Sequence, residues 1–153
     1  MEHPYSYIGG FLRKQDYRRL LARCSAGTLA RQIDAPHVTF VYRPEAVEEE
    51  LFGEPLRLCV TGYANDGRNE GVRVEIRTEN ARLRDMAERI RCPHITLSVS
   101  EDGRPVDTGY LTFTPVEPFE LTARFGGYDT RTGRAVTKPG SSGGAGGRNA
   151  GRK

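Results

Sequence analysis

A chain of 153 residues with 37% hydrophobic and 28% charged side chains is long enough to bury one real core, and its apolar residues recur too regularly for an unfolded chain. The net charge of +3 is mild, and no apolar run approaches the length that crosses a bilayer, so no membrane partner is expected. Three cysteines, Cys24, Cys59 and Cys92, lack C-x-x-C spacing, which argues against a disulfide framework or a zinc knuckle and favours a reducing compartment. The opening Met1-Glu2-His3-Pro4 has neither the basic nor the apolar region of a signal peptide, so a cytoplasmic protein is expected. His3, near the terminus and followed by no threonine two positions on, is expected to be a disordered surface residue.

In chain order, Tyr5-Ser6-Tyr7-Ile8-Gly9-Gly10-Phe11-Leu12 reads as a first strand loosened by two glycines. Asp16 is the expected N-cap of a helix with Tyr17, Leu20, Leu21 and Cys24 on its apolar face, ending near Gly27. Ala35-Pro36-His37-Val38-Thr39-Phe40-Val41-Tyr42 is the next strand, followed by an acidic turn of possible helix from Glu45 to Leu51. Leu56, Leu58 and Val60 alternate, as do Val72, Val74 and Ile76, and Asn65-Asp66-Gly67 between them predicts a β-hairpin. Asn80 caps a second helix with Leu83, Met86, Ala87 and Ile90 as its stripe, and Pro93 stops it just before the strand Cys92-Pro93-His94-Ile95-Thr96-Leu97-Ser98-Val99. Residues 110–114 and 119–128 are two further expected strands, the latter ending in Phe125-Gly126-Gly127-Tyr128. Residues 1–136 form the expected folded domain. The glycine density of 137–153 predicts a disordered, mildly basic tail.

Two strings stand out because they repeat: small residue, proline, histidine, β-branched residue, threonine, then apolar residues. On a strand, residues two apart share a face. His37 therefore stands beside Thr39 and His94 beside Thr96, with the opposite faces apolar and suited to a core. The order of elements is α+β with a largely antiparallel sheet, and with the two histidine strands side by side their polar faces would line one cleft.

The paired H-x-T elements, His37-Val38-Thr39 and His94-Ile95-Thr96, resemble the signature of the two-histidine (2H) phosphoesterase superfamily. With the opening Tyr7-Ile8-Gly9-Gly10-Phe11-Leu12 and the closing Phe125-Gly126-Gly127-Tyr128, residues 5–130 look most like the cyclic phosphodiesterase domains of the tRNA-ligase type. The resemblance implies a bilobal α+β fold, two largely antiparallel sheets forming a central groove with helices outside and one H-x-T from each half. It also implies hydrolysis of phosphodiesters without a metal, often of 2′,3′-cyclic phosphates at RNA ends. The stretch between the motifs has room for little beyond one hairpin and one helix, which is compact for the family.

The chemistry supplies its own reasons. Opening a cyclic phosphodiester needs one group to take a proton from water and another to protonate the departing ribose oxygen; histidine, with a pKa of about 6.5, serves either role near neutral pH. His37 and His94 are the expected acid–base pair, and the hydroxyls of Thr39 and Thr96 the expected holders of the phosphoryl oxygens. Arg43, Tyr42, Tyr63, Ser98, Phe125 and Tyr128 are the expected substrate contacts, the arginine for phosphate and the aromatics for a base; Arg124 is a weaker candidate. No cofactor or metal is expected, since a zinc site from His37, His94, Cys59 and Cys92 matches no common spacing. The expected partner of this monomer is RNA with a 2′,3′-cyclic phosphate end or a cyclic nucleotide. The alternatives are a cyclic or 2′-5′-linked oligonucleotide or another nucleotide messenger as substrate, or a nonenzymatic RNA-binding module.

Overall fold

The computed structural model describes residues 3–24, 29–33 and 35–139. Alternating apolar positions build β1 (Tyr5–Leu12), β2 (Arg31–Gln32), β3 (His37–Tyr42), β4 (Pro55–Asn65), β5 (Asn69–Arg77), β6 (His94–Val99), β7 (Thr114–Asp129) and β8 (Arg134–Val136). Helix α1 (Lys14–Cys24) follows β1, helix α2 (Ala81–Glu88) follows β5, and short 3-10 turns cover Glu49–Leu51 and Pro105–Tyr110. Asn80 caps α2 as its sequence predicts, its Oδ1 accepting the Leu83 N–H at 3.0 Å.

The strands pair in the order β1-β3-β6-β5-β4-β7, and β7 pairs back onto β1, every contact antiparallel. The result is a closed six-stranded barrel, mostly β, which overturns the expected bilobal α+β fold with helices flanking a central groove. The reason lies in β7. Its 16 residues are long enough to bond β4 along one edge and β1 along the other, so the two would-be halves share one continuous wall. Closure also leaves no open edge between these six strands.

Val38, Leu56, Leu58, Val60, Val72, Ile95, Leu97, Leu121 and Ala123 meet on the inner face and join Leu20 of α1 and Leu83 of α2 in one core cluster, each contributing about 1.5–3 kcal/mol by burial when large. The seam between β1 and β7 is lined with glycine because nothing larger fits. Gly9 faces Gly126 across it, and a Cβ on Gly9 would lie 2.1 Å from the Val38 carbonyl oxygen, one on Gly126 2.2 Å from that of Val136.

Four local expectations need correction. Asp16 is not the N-cap of α1; it lies buried in the first turn, where its carboxylate accepts from Arg13 Nε and Arg19 Nη1, each at 2.9 Å. Residues 110–114 are not a strand, because Pro105 at the start of the 3-10 turn fixes a helical φ and the chain stays coiled through Tyr110, so that β7 begins at Thr114. The acidic segment after β3 makes only the single 3-10 turn Glu49–Leu51. His3 is an ordered residue: Nε2 donates to the Pro44 carbonyl at 2.7 Å, Nδ1 accepts the Tyr5 N–H at 3.2 Å, and the ring stacks on Tyr5. The expected end of α1 near Gly27, and residues 140–153 of the expected tail, lie outside the described residues. No helix among the described residues is long and apolar enough to cross a membrane.

Two glycine substitutions separate close approach from backbone strain. Gly9→Ala drives a methyl into backbone and is expected to cost 3 kcal/mol or more, about the upper end for overpacking. Gly67→Ala, in the hairpin turn at φ +89° with nothing within 4 Å, is expected to cost about 1–2 kcal/mol from its left-handed φ alone. Urea denaturation midpoints measure both.

Candidate active site

Val38 of β3 pairs with Ile95 of β6, and both are fully buried. In an antiparallel pair the flanking residues then face each other: His37 lies opposite Thr96, and Thr39 opposite His94, all four on the outer wall of the barrel. The two histidines occupy diagonal corners of this square, about 7–8 Å apart by sheet geometry.

Both imidazoles are held in the same way. His37 Nδ1 donates to the Ala35 carbonyl at 2.7 Å, and His94 Nδ1 donates to the Cys92 carbonyl at 2.8 Å. A proline stands between ring and acceptor each time, its φ fixed near −65°, and each proline carbonyl is tied to the neighbouring strand: Pro36 by the Leu12 N–H at 3.1 Å, Pro93 by the Val74 N–H at 3.0 Å. With Nδ1 as donor, the neutral ring carries its lone pair on Nε2, an assignment that follows from the hydrogen-bond network. Both rings resist protonation. Burial pushes His37 down to about 4, with the charge of His94 adding to the effect and the Ala35 carbonyl opposing it. Burial also lowers His94, helped by Arg91 and opposed by the Cys92 carbonyl.

The surroundings of the two differ. Tyr7 stacks on His37 with centroids 4.4 Å apart; its hydroxyl lies 3.3 Å from Nδ1, a longer contact than the 2.7 Å bond from Nδ1 to the Ala35 carbonyl. Phe11 leans against the same ring, and Tyr7 is itself parallel to Tyr128 at 5.2 Å and tilted toward Tyr42 at 5.8 Å. Tyr42 and Tyr128 are the cross-strand partners of Tyr7 on either side, so three tyrosines make one wall. His94 instead meets backbone: Gly109 packs so closely on its ring that a Cβ there would sit 3.0 Å from Cε1. Arg73 of β5 is its cross-strand partner.

The two threonines are not equivalent. Thr39 is half-buried and its hydroxyl makes no hydrogen bond among the described residues. Thr96 is buried, its Oγ1 lying 3.0 Å from the Pro105 carbonyl and 2.9 Å from Thr108 Oγ1, which in turn accepts Asn69 Nδ2 at 3.0 Å. A hydroxyl has one proton, and that of Thr96 is used in fixing the 3-10 turn Pro105–Tyr110 to β6. The expectation that Thr96 holds a phosphoryl oxygen is therefore corrected.

Of the expected substrate contacts, Tyr42 and Tyr128 flank Tyr7, the ring stacked on His37, and Arg43 is exposed just beyond Tyr42 in left-handed backbone at φ 48°. Three do not belong there. Phe125 is a core residue against Phe40 and Phe52; Ser98 is buried, donating to Glu70 Oε1 at 2.8 Å and accepting the Leu29 N–H at 3.1 Å; and the Tyr63 hydroxyl donates to Glu70 Oε2 at 2.6 Å. Arg124 is likewise elsewhere, bound to the Gly53 carbonyl at 2.8 Å. Sequence reasoning missed Tyr7, Arg73 and Tyr110 as neighbours of the site. Alternation does place Arg73 outward between Val72 and Val74, but only the β5–β6 register sets it beside His94. Among the described residues, no group of three or more His, Cys, Asp and Glu side chains is placed to hold a metal ion. No protein-family model matches the sequence, and no curated protein matches it.

A histidine whose folded pKa lies below its unfolded value destabilises the fold as pH falls, because the unfolded chain takes up the proton first. For His37 the window runs from about 6.5 down to about 4. Stability is expected to fall by roughly 2–3 kcal/mol across it, and His37→Phe to flatten that part of a plot of urea midpoint against pH. Thr96→Val is expected to cost roughly 1–3 kcal/mol by stranding buried partners, whereas Thr39→Val stays within about 0.5 kcal/mol of the parent, both read from the same denaturation curves.

Proposed function

We propose that the chain is a metal-independent cyclic phosphodiesterase that opens a 2′,3′-cyclic phosphate, on an RNA end or a nucleotide, to a phosphomonoester. The observation that carries this reading is the pair of imidazoles at diagonal corners of one square, each with Nδ1 tied to the carbonyl two residues back and Nε2 left as the reactive nitrogen. This is the chemistry implied by the resemblance of the two H-x-T strings to two-histidine phosphoesterases.

In the proposed reaction His37, the ring held neutral by burial, takes a proton from water through Nε2 as the water oxygen bonds to phosphorus. The P–O bond to one ribose oxygen breaks, and His94 gives that oxygen a proton. His94 acquires this proton when the anionic phosphodiester arrives, its charge offsetting burial and Arg91. Thr39, whose hydroxyl has no partner among the described residues, donates to a nonbridging oxygen as negative charge gathers there. Acid and base both come from side chains of one chain, so a monomer suffices and no metal is required. Three free cysteines, Cys24, Cys59 and Cys92, suit a reducing, cytoplasmic setting.

The test is incubation with nucleoside 2′,3′-cyclic monophosphates and a cyclic-ended oligonucleotide, with and without EDTA, resolving 2′ from 3′ products by chromatography. Turnover is expected to survive the chelator. His37→Ala and His94→Ala are each expected to lose roughly 10²–10⁴-fold. Because both rings are shifted downward, the optimum of kcat/KM against pH is expected below about 6.5. Full activity in both single variants would refute the assignment, and salt-sensitive RNA binding without any product would favour a binding module.

A further inference from the structure

We propose that the site takes the end of an RNA strand in preference to a free nucleotide, with Arg73 and Arg91 holding the phosphodiester next to the cyclic end and Tyr110 stacking a base beside it. This rests on the phosphodiesterase reading of the same site and adds to it a direction and a second phosphate.

Register supplies the first observation. Across β3, β6 and β5 the outer wall presents Thr39, His94 and Arg73 in one row. The row behind it, His37, Thr96 and Gly71, is roofed on its Thr96 side by the 3-10 turn: a Cβ on Gly71 would lie 2.4 Å from Thr108 Cγ2. The open path away from the histidines therefore runs over Arg73. Adjacent strands are about 4.8 Å apart, so a guanidinium on β5 reaches a group one phosphate along from anything seated at His94.

The second observation is the company the arginines keep. Arg91 lies over the Tyr110 ring with Cζ 4.7 Å from its centroid, and Arg73 over Phe113 at 6.0 Å. Neither joins an ion pair among the described residues, whereas Arg57, Arg68, Arg77 and Arg82 do. Tyr110 is 71% exposed and follows Gly109, which rests on His94. An exposed aromatic ring next to unpaired guanidinium groups is the pairing that single-stranded nucleic acid uses, stacking for bases and charge for backbone. On the His37 side the ring of Tyr7 stacks on the imidazole and is itself flanked by Tyr42 and Tyr128, with Tyr42 half-exposed. That wall suits the terminal base. A nucleoside cyclic monophosphate has one phosphate and one base and would leave Arg73, Arg91 and Tyr110 with nothing to hold.

The experiment compares kcat/KM on a short oligonucleotide with a 2′,3′-cyclic end against kcat/KM on the corresponding nucleoside 2′,3′-cyclic monophosphate. The parent is expected to prefer the oligonucleotide. Arg73→Gln and Arg91→Gln together are expected to lower the oligonucleotide-to-mononucleotide ratio about 100-fold, with Lys at both positions restoring most of it, and Tyr110→Ala to lower it about tenfold. Binding of a 3′-phosphorylated oligonucleotide, followed by fluorescence anisotropy, is expected to weaken in the same variants and to lose about 1.4 from the slope of log K against log salt in the double variant. An unchanged ratio and unchanged binding would overturn the inference while leaving the phosphodiesterase reading intact. Turnover of neither substrate by the parent would overturn that reading, and the anisotropy series would still decide whether these residues hold RNA.

Discussion

Val38 and Ile95 do two things with one backbone pairing. Their side chains close the inner face of the barrel, both fully buried, and their register sets His37 against Thr96 and Thr39 against His94 on the outer face. A slip of one residue in either strand would turn that strand's histidine into the apolar interior and expose its valine or isoleucine. Each motif strand thus has its polar geometry enforced by the hydrophobic effect acting on the opposite face. The site is as precise as the core beneath it.

Repetition in sequence does not carry through to equal roles. The prolines, the carbonyl anchors and the ring orientations agree closely between the two motifs, because they depend on contacts within three residues. Everything longer in range differs. His37 is covered by the β1 rings of Tyr7 and Phe11, His94 lies against a backbone turn and across from Arg73, and Thr96 is consumed in fastening that turn while Thr39 is not. In the proposed reaction this asymmetry would help, since a base and an acid are needed at once and unlike surroundings give the two rings unlike proton affinities.

Close packing accounts for the glycine pairs at both ends of the domain. Gly9 in β1 and Gly126 in β7 lie against the backbones of β3 and β8, and Gly10 and Gly127 against the side chains of Leu56 and Tyr5. Closure of the barrel puts the histidine square on a convex wall. Tyr7 stacks on one of its corners, His37, and Gly109 of the turn Pro105–Tyr110 packs on another, His94.

Local chemistry made much of this legible in the sequence. Alternation located β1, β3, β6 and the β4–β5 hairpin, Asn80 announced its cap, and the period of two put each histidine beside its threonine and away from the core. Those signals act over a few residues, so one strand's sequence contains them. The Tyr110 segment reads as a strand but ends a 3-10 turn held by Asn69 and Thr96, residues its own sequence does not contain. Phe125 and Ser98 were misplaced for a similar reason: which neighbours cover a strand face is set by other elements. Above all, the sequence could give two half-sites but not one closed barrel, nor the arginines beside His94. Strand partnership is a property of non-local pairing, and only the long reach of β7 to both edges, with the core selecting the register, decided it.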